Sequence, residues 1–218
     1  MSALHNFVRN NNERTLERVL QGALRIRQKE DPDSTTLDSS FVDKKDHHGR
    51  TALHIAAYNG NLAITKLLLK FGASPKAVAQ DSTTALHFAA QNGNAELIKE
   101  LCRKGASVNA KTSKSWMTPL HLALSKGNCD AAHELVKKGA IQKYNSKGKL
   151  PFDLASEETL SRLRELLGET SFSRLKDDVQ DKPKSVKPPV AFYNRKKKPK
   201  SKIEQAPSAS NSNEAAKT

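Results

Sequence analysis

The stretch from Thr51 to Gly72 occurs more than once in this chain. Thr84-Ala85-Leu86-His87-Phe88-Ala89-Ala90 opens a second copy, followed by Gly93-Asn94 and closed by Lys104-Gly105-Ala106. Thr118-Pro119-Leu120-His121-Leu122-Ala123 opens a third, followed by Gly127-Asn128 and closed by Lys138-Gly139-Ala140. The three threonines lie 33 and then 34 residues apart. A period of this length predicts stacked supersecondary units, none of which can bury its apolar face without a neighbour. It argues against one central core. The composition agrees, since aromatics are 5% and hydrophobics 36% of the chain, lean for a single globular interior but suited to thin faces between repeats.

The order Thr-Ala/Pro-Leu-His-x-Ala, a Gly turn, a Leu-rich second segment and a closing Gly-Ala resembles the ankyrin repeat family. The resemblance implies an all-α solenoid of helix pairs joined by β-hairpin-like finger loops. Asp46, Gly49 and Thr51 match the Asp-x-x-Gly-x-Thr hairpin that starts such a repeat. Full repeats are expected over 43–75, 76–109 and 110–142, the last with one additional residue around Ser115-Trp116-Met117. Residues 1–26 read as a worn first repeat, with Leu4-His5 in the Leu-His position and Asn11 where the turn glycine belongs. Asn tolerates a left-handed turn better than other non-glycine residues. Asn12, Asn61, Asn94 and Asn128 are expected to cap the second helices that follow them. Residues 27–42 form a polar, acidic insert of about 16 residues, expected as a surface loop. Residues 143–167 read as an atypical closing repeat, in which Leu150 replaces the usual Thr and Asp153 the usual His.

Residues 168–218 depart from the pattern. Five prolines and many Lys, Ser and Asn make this tail too polar to bury a core, and disorder is expected there. Phe172, Leu175 and Val179, at helical spacing, suggest one short helix at its start. The net charge is +14, and residues 182–202 carry nine basic side chains and no acidic one. Within that block Arg195, Lys196, Lys197, Lys198, Lys200 and Lys202 look like a nuclear import signal. RNA or ribosome binding through phosphates, with Phe192 and Tyr193 available for stacking, is the second reading, and a solubilising tail the third. The import reading leads, and the expected location is nucleus and cytoplasm.

Cys102 and Cys129 stand in different repeats with no CxxC spacing, which argues against a disulfide framework or zinc site and fits a reducing compartment. No apolar run approaches a membrane span, so a soluble protein is expected. By the resemblance, His54, His87 and His121 pair with the preceding threonines as structural hydrogen bonds; they are not read as a metal row. Asp46-His47-His48-Gly49 superficially resembles the Asp-His-His-Cys signature of palmitoyl transferases, but Gly49 stands where the nucleophile belongs. The glycines carry no phosphate-loop pattern. No catalytic residue, cofactor or metal is expected.

What remains is recognition. Family members bind partners with the finger tips and the exposed face of the first helices, and the resemblance carries that role to matching positions here. In the first full repeat these are His47, His48, Arg50, Tyr58 and Asn59. The second supplies Gln80, Asp81, Thr83, Gln91 and Asn92, and the third Lys114, Trp116, Met117, Ser125 and Lys126. Lys147 and Lys149 extend the row. Few carboxylates lie along it, so a monomer that binds an acidic or polar protein segment is expected, with an import receptor or RNA as further partners of the tail. Trp116 stands in register with Tyr58 and either anchors a partner or packs along its own hairpin.

Overall fold

The computed structural model describes residues 3–180. Each full repeat folds a seven-residue inner helix back onto a nine-residue outer one. The pairs are α4 (Ala52–Tyr58) with α5 (Leu62–Lys70), α6 (Ala85–Gln91) with α7 (Ala95–Arg103), and α8 (Pro119–Ser125) with α9 (Cys129–Lys137). Before them come α1 (Ala3–Arg9), α2 (Glu13–Glu30) and a single turn, α3 (Ser39–Val42). After them come a 3-10 turn (Phe152–Leu154), α10 (Glu157–Leu167) and α11 (Glu169–Asp177). Inner helices pack in series, α1 on α4, α4 on α6, α6 on α8 and α8 on the 3-10 turn; outer helices run in parallel series from α2 to α10. The core is the layer between these rows. Leu53, Leu86 and Leu120, one per inner helix, and Ile64, Leu68, Leu97, Ile98, Leu101 and Leu135 on the outer helices are fully buried in it.

The inner helices begin alike for a local reason. Thr51, Thr84 and Thr118 are N-caps in extended conformation, and the N3 histidine of each returns a hydrogen bond to the cap. Pro119 fits the first helical position of α8, where its missing N–H would have had no partner. Asn11, at φ 55°, takes the left-handed turn that glycine takes in the full repeats. Asn12, Asn61 and Asn94 cap α2, α5 and α7 through their side chains.

Asn128 departs from that expectation and caps nothing with its side chain. Its amide donates instead to the carbonyls of Ala90 (3.1 Å) and Gln91 (2.9 Å) at the end of α6. In the two preceding repeats that service to the neighbouring helix end comes from Asn59 and Asn92. Lys126 occupies the corresponding place in the third repeat. Asn128 supplies the donor from two residues further on, since exposed carbonyls at a helix end need partners.

The insert read as a surface loop is packed instead. Residues 27–30 complete α2, and the rest of the insert folds back over the end of α5 rather than standing off as a loop. Leu37 and Val42 are buried, the Leu37 N–H donates to the Phe71 carbonyl at 3.0 Å, and Arg27 bonds the Ser34 hydroxyl at 2.9 Å and pairs with Asp38. Two apolar side chains within a polar run were enough to seat it. The short helix expected from Phe172 and Leu175 forms as α11, with Val179 in a strand beyond it. Phe172 of α11 stacks on Phe152 at 5.1 Å with the Arg164 guanidinium 4.9 Å above its ring. A short strand, Val179–Gln180, then pairs in parallel with Gln142–Lys143. The described array thus extends to residue 180, and the basic block 182–202 lies outside the described residues.

Gly22 lies inside α2, and a Cβ added there would meet nothing within 4 Å. Gly22→Ala is therefore expected to stabilise the chain by about 0.5–1 kcal/mol through helix propensity alone. A rise in the urea midpoint at unchanged slope is the readout. A fall in the midpoint would contradict a regular helix through this position.

Candidate partner-binding face

Four fingers project between the repeats, and their tips share one construction. In the first, Asp46 accepts from the backbone N–H of His48 (2.9 Å) and of Arg50 (2.8 Å), and the Gly49 N–H donates to the Asp46 carbonyl. In the second Ala79 takes that place in the backbone pattern and Asp81, two residues on, accepts from Thr83 N–H; in the fourth Asn145 accepts from Lys147 and Lys149 N–H. The third is longer by one residue. The Thr112 N–H reaches the Met117 carbonyl, where the first spans only Asp46 to Arg50, so the additional residue lies in the tip itself. Ser82 and Trp116 hold the left-handed position, at φ 62° and 54°, that Gly49 and Gly148 hold in the other two.

Adjacent fingers are stitched by their backbones. Gln80 N–H donates to the His48 carbonyl (3.3 Å), Ser113 N–H to Asp81 (2.8 Å) and Ser146 N–H to Ser115 (3.0 Å). Below them the histidine rings tie repeat to repeat. Each Nδ1 lies 3.1 Å from the N–H of its own threonine and accepts from it. The proton therefore sits on Nε2, which donates across the junction: His54 to the Thr83 carbonyl (3.1 Å), His87 to Met117 (3.1 Å) and His121 to Lys149 (3.3 Å). Burial of the rings lowers their pKa, to about 4 for His54 and His121, and the only nitrogen left to protonate already faces an N–H. These are structural histidines. The Asp46 carboxyl is pulled the other way from its burial. Burial raises its pKa, but the two backbone N–H groups and the Arg50 guanidinium outweigh it and hold the group at about 2.

The residues expected to meet a partner divide under this geometry. His47, His48, Tyr58, Gln80, Asp81, Gln91, Lys114, Ser125 and Lys126 are exposed on the fingers and the inner-helix ends, as are Lys147 and Lys149. Thr83 is not available. It is buried, and its carbonyl receives His54. Asn59 and Asn92 are exposed, yet their amides bond the preceding repeat, at the carbonyls of Val8 for Asn59 and of Tyr58 and Ala57 for Asn92. Arg50 is half-buried, with Nε 3.0 Å and Nη2 2.9 Å from Asp46 Oδ2. Trp116 packs along its own hairpin: it is half-buried, with Lys111 Nζ 5.7 Å from its ring centroid. Tyr58 meets Phe88 instead, edge to face, with ring centroids 5.7 Å apart.

Phe88 is the residue that the reading of the chain missed. It follows His87 on α6, where Ile55 and Leu122 stand in the neighbouring repeats, and an aromatic at that position was the available signal. It walls two adjoining cavities. One, of about 270 Å³, is lined by Arg9, Arg50, His54, Ile55, Tyr58, Asn59 and Phe88. The other, of about 360 Å³, is lined by His48, Arg50, Ala79, Gln80, Asp81, Phe88 and Lys114. Both stand near the low end of the roughly 300–1,000 Å³ typical of small-molecule sites, a size for one or two side chains of a partner. Among the described residues no cluster of His, Cys, Asp or Glu is placed to hold a metal, and no helix is long and apolar enough to cross a membrane. The Cys102 thiol, pushed up to about 11 by burial, has little thiolate character at neutral pH. Arg195, Lys196, Lys197, Lys198, Lys200 and Lys202 lie outside the described residues.

Residues 71–147 match the family model for ankyrin repeats in three copies, and residues 48–80 match the single ankyrin repeat. No curated protein matches the chain.

Proposed function

Because this chain is an ankyrin-repeat protein over residues 48–147, and such repeats are generally protein–protein interaction modules, we propose that it is an adaptor that holds a protein partner against its fingers and inner helices. The observation that carries the reading is the finger row. Backbone hydrogen bonds link each tip to the next, so exposed side chains from four repeats stand on one preorganised surface. The basic block directs the adaptor to the nucleus, with Arg195, Lys196, Lys197, Lys198, Lys200 and Lys202 as the import signal. A second reading, RNA- or ribosome-associated binding through the same block, is favoured by nine basic side chains without an acidic one over residues 182–202 and by Phe192-Tyr193 among them.

The test is affinity purification from native cells with three forms. These are the intact chain, the chain ending at residue 180, and the intact chain with the six basic residues of 195–202 changed to Gln. The cut belongs at 180 because an earlier one would remove the buried Phe172 and Leu175. The adaptor reading expects protein partners retained by all three forms and nuclear accumulation lost by the last two. Partners that vanish with the tail and dissociate steeply with added salt would transfer the function to nucleic acid.

A further inference from the structure

The finger face changes character along its length. At its amino-terminal end Tyr58 is 59% exposed and stands edge-on to Phe88, with Ile55 completing the wall of the 270 Å³ cavity. The position of Tyr58 is taken by Gln91 and Ser125 in the next repeats, so this junction alone among the full repeats presents an exposed inner-helix aromatic against a second ring. Toward the carboxyl end the exposed residues are Lys114, Lys126, Lys147 and Lys149. Asp81 and Asp153, also exposed, each spend one carboxylate oxygen on a backbone N–H, of Thr83 and Leu150. One face thus offers an aromatic recess, edged by Arg9 and Arg50, at one end and a lysine row at the other.

We infer that this face takes an extended acidic segment of another protein, which seats one large apolar or aromatic side chain in the Tyr58–Phe88 recess and lays its carboxylates over Lys114, Lys126 and Lys149. Packed helices lie roughly 8–10 Å apart, so Lys126 at the end of α8 stands about one to two spacings from the recess and Lys149 about two to three, or roughly three to nine residues of extended chain. That sets the grammar of the partner: an apolar anchor, then Asp or Glu about three to nine positions away. Charge excludes the protein's own tail as occupant, because residues 182–202 are as basic as the lysine row they would have to cover. The inference rests on the adaptor reading and sharpens it to one partner chemistry.

A random linear-peptide display library panned on the intact chain tests it. Enriched peptides are expected to pair an aromatic or large aliphatic residue with acidic residues at that spacing. A synthetic peptide of the enriched sequence should bind Tyr58→Ser and the double variant Lys126→Glu, Lys149→Glu roughly tenfold more weakly. All three positions are exposed, so the variants keep the fold. The same peptide with its acidic residues changed to Lys should recover affinity for the double variant. Enrichment of peptides without this pairing, binding indifferent to both variants, or no enrichment at all would overturn the inference. The adaptor reading fails separately, when native partners are lost with the tail.

Discussion

Between about pH 7 and pH 4.5 the array is expected to lose about 5 kcal/mol of folding stability through His54 and His121 alone. Both rings are neutral in the fold, with pKa values lowered to about 4 from an ordinary 6.5, by burial first. The unfolded chain takes up a proton near pH 6.5 and the folded chain does not. Stability from these groups is therefore complete above about 6.5 and drains away as pH falls toward 4. His87, lowered for the same reason, adds to the loss. Asp43, whose burial raises its pKa, works weakly in the opposite sense at the acid end, and Asp46 stays ionised throughout the window. Against a total of about 5–15 kcal/mol for an ordinary domain, the loss is a third or more of the whole. Denaturant midpoints measured from neutral to acid pH give the profile. A flat profile would mean that the rings are protonated in the fold or lie open to water.

Gly49→Ala is expected to cost roughly 2–5 kcal/mol, the sum of a left-handed backbone penalty and an overpacked contact. Gly49 holds φ 72°, and a Cβ there would stand 2.9 Å from the Gln80 amide nitrogen and 3.0 Å from Gln80 Cγ. The nitrogen is backbone and cannot swing aside. The link from Gln80 N–H to the His48 carbonyl would open with it. Gly105 supplies the control, because at φ 90° its added Cβ meets nothing within 4 Å. Gly105→Ala should carry only the backbone penalty, about 1–2 kcal/mol. The difference between the two unfolding free energies isolates the finger-to-finger contact. Equal losses would show that the contact contributes nothing.

Most of the architecture was legible in the residues because each repeat states its local chemistry in full. Threonine and histidine three apart make the capping box, Asn after a turn glycine caps the next helix at Asn61 and Asn94 though not at Asn128, and Leu at helical spacing marks the buried stripe. Even Asn11 was readable, as the non-glycine residue suited to a left-handed turn. The misreading of the insert has one cause. Residues 27–42 look polar in composition, but Leu37 and Val42 are buried against the array. Composition averages over such single anchors, whereas Phe172 and Leu175 were legible because their spacing marks a helix.

The candidate face divides along the same line. Period and residue type located the fingers and the exposed lysines, because those follow from position within a repeat. Which of the marked side chains stay exposed and uncommitted depended on contacts within the finger and with the adjacent repeat. Thr83 is buried with its carbonyl on His54, Asn59 and Asn92 are exposed but bonded to the helix ends before them, Arg50 is held by Asp46, and Trp116 lies on its own hairpin beside Lys111. Phe88 gained its place only when α4 and α6 stacked and brought Tyr58 to its ring. Helix, turn and cap arise from interactions within a few residues, which a repeating sequence writes out plainly. A partner-binding surface is what remains after repeats about 33 residues apart have satisfied one another's polar groups, and that remainder exists only once they are stacked.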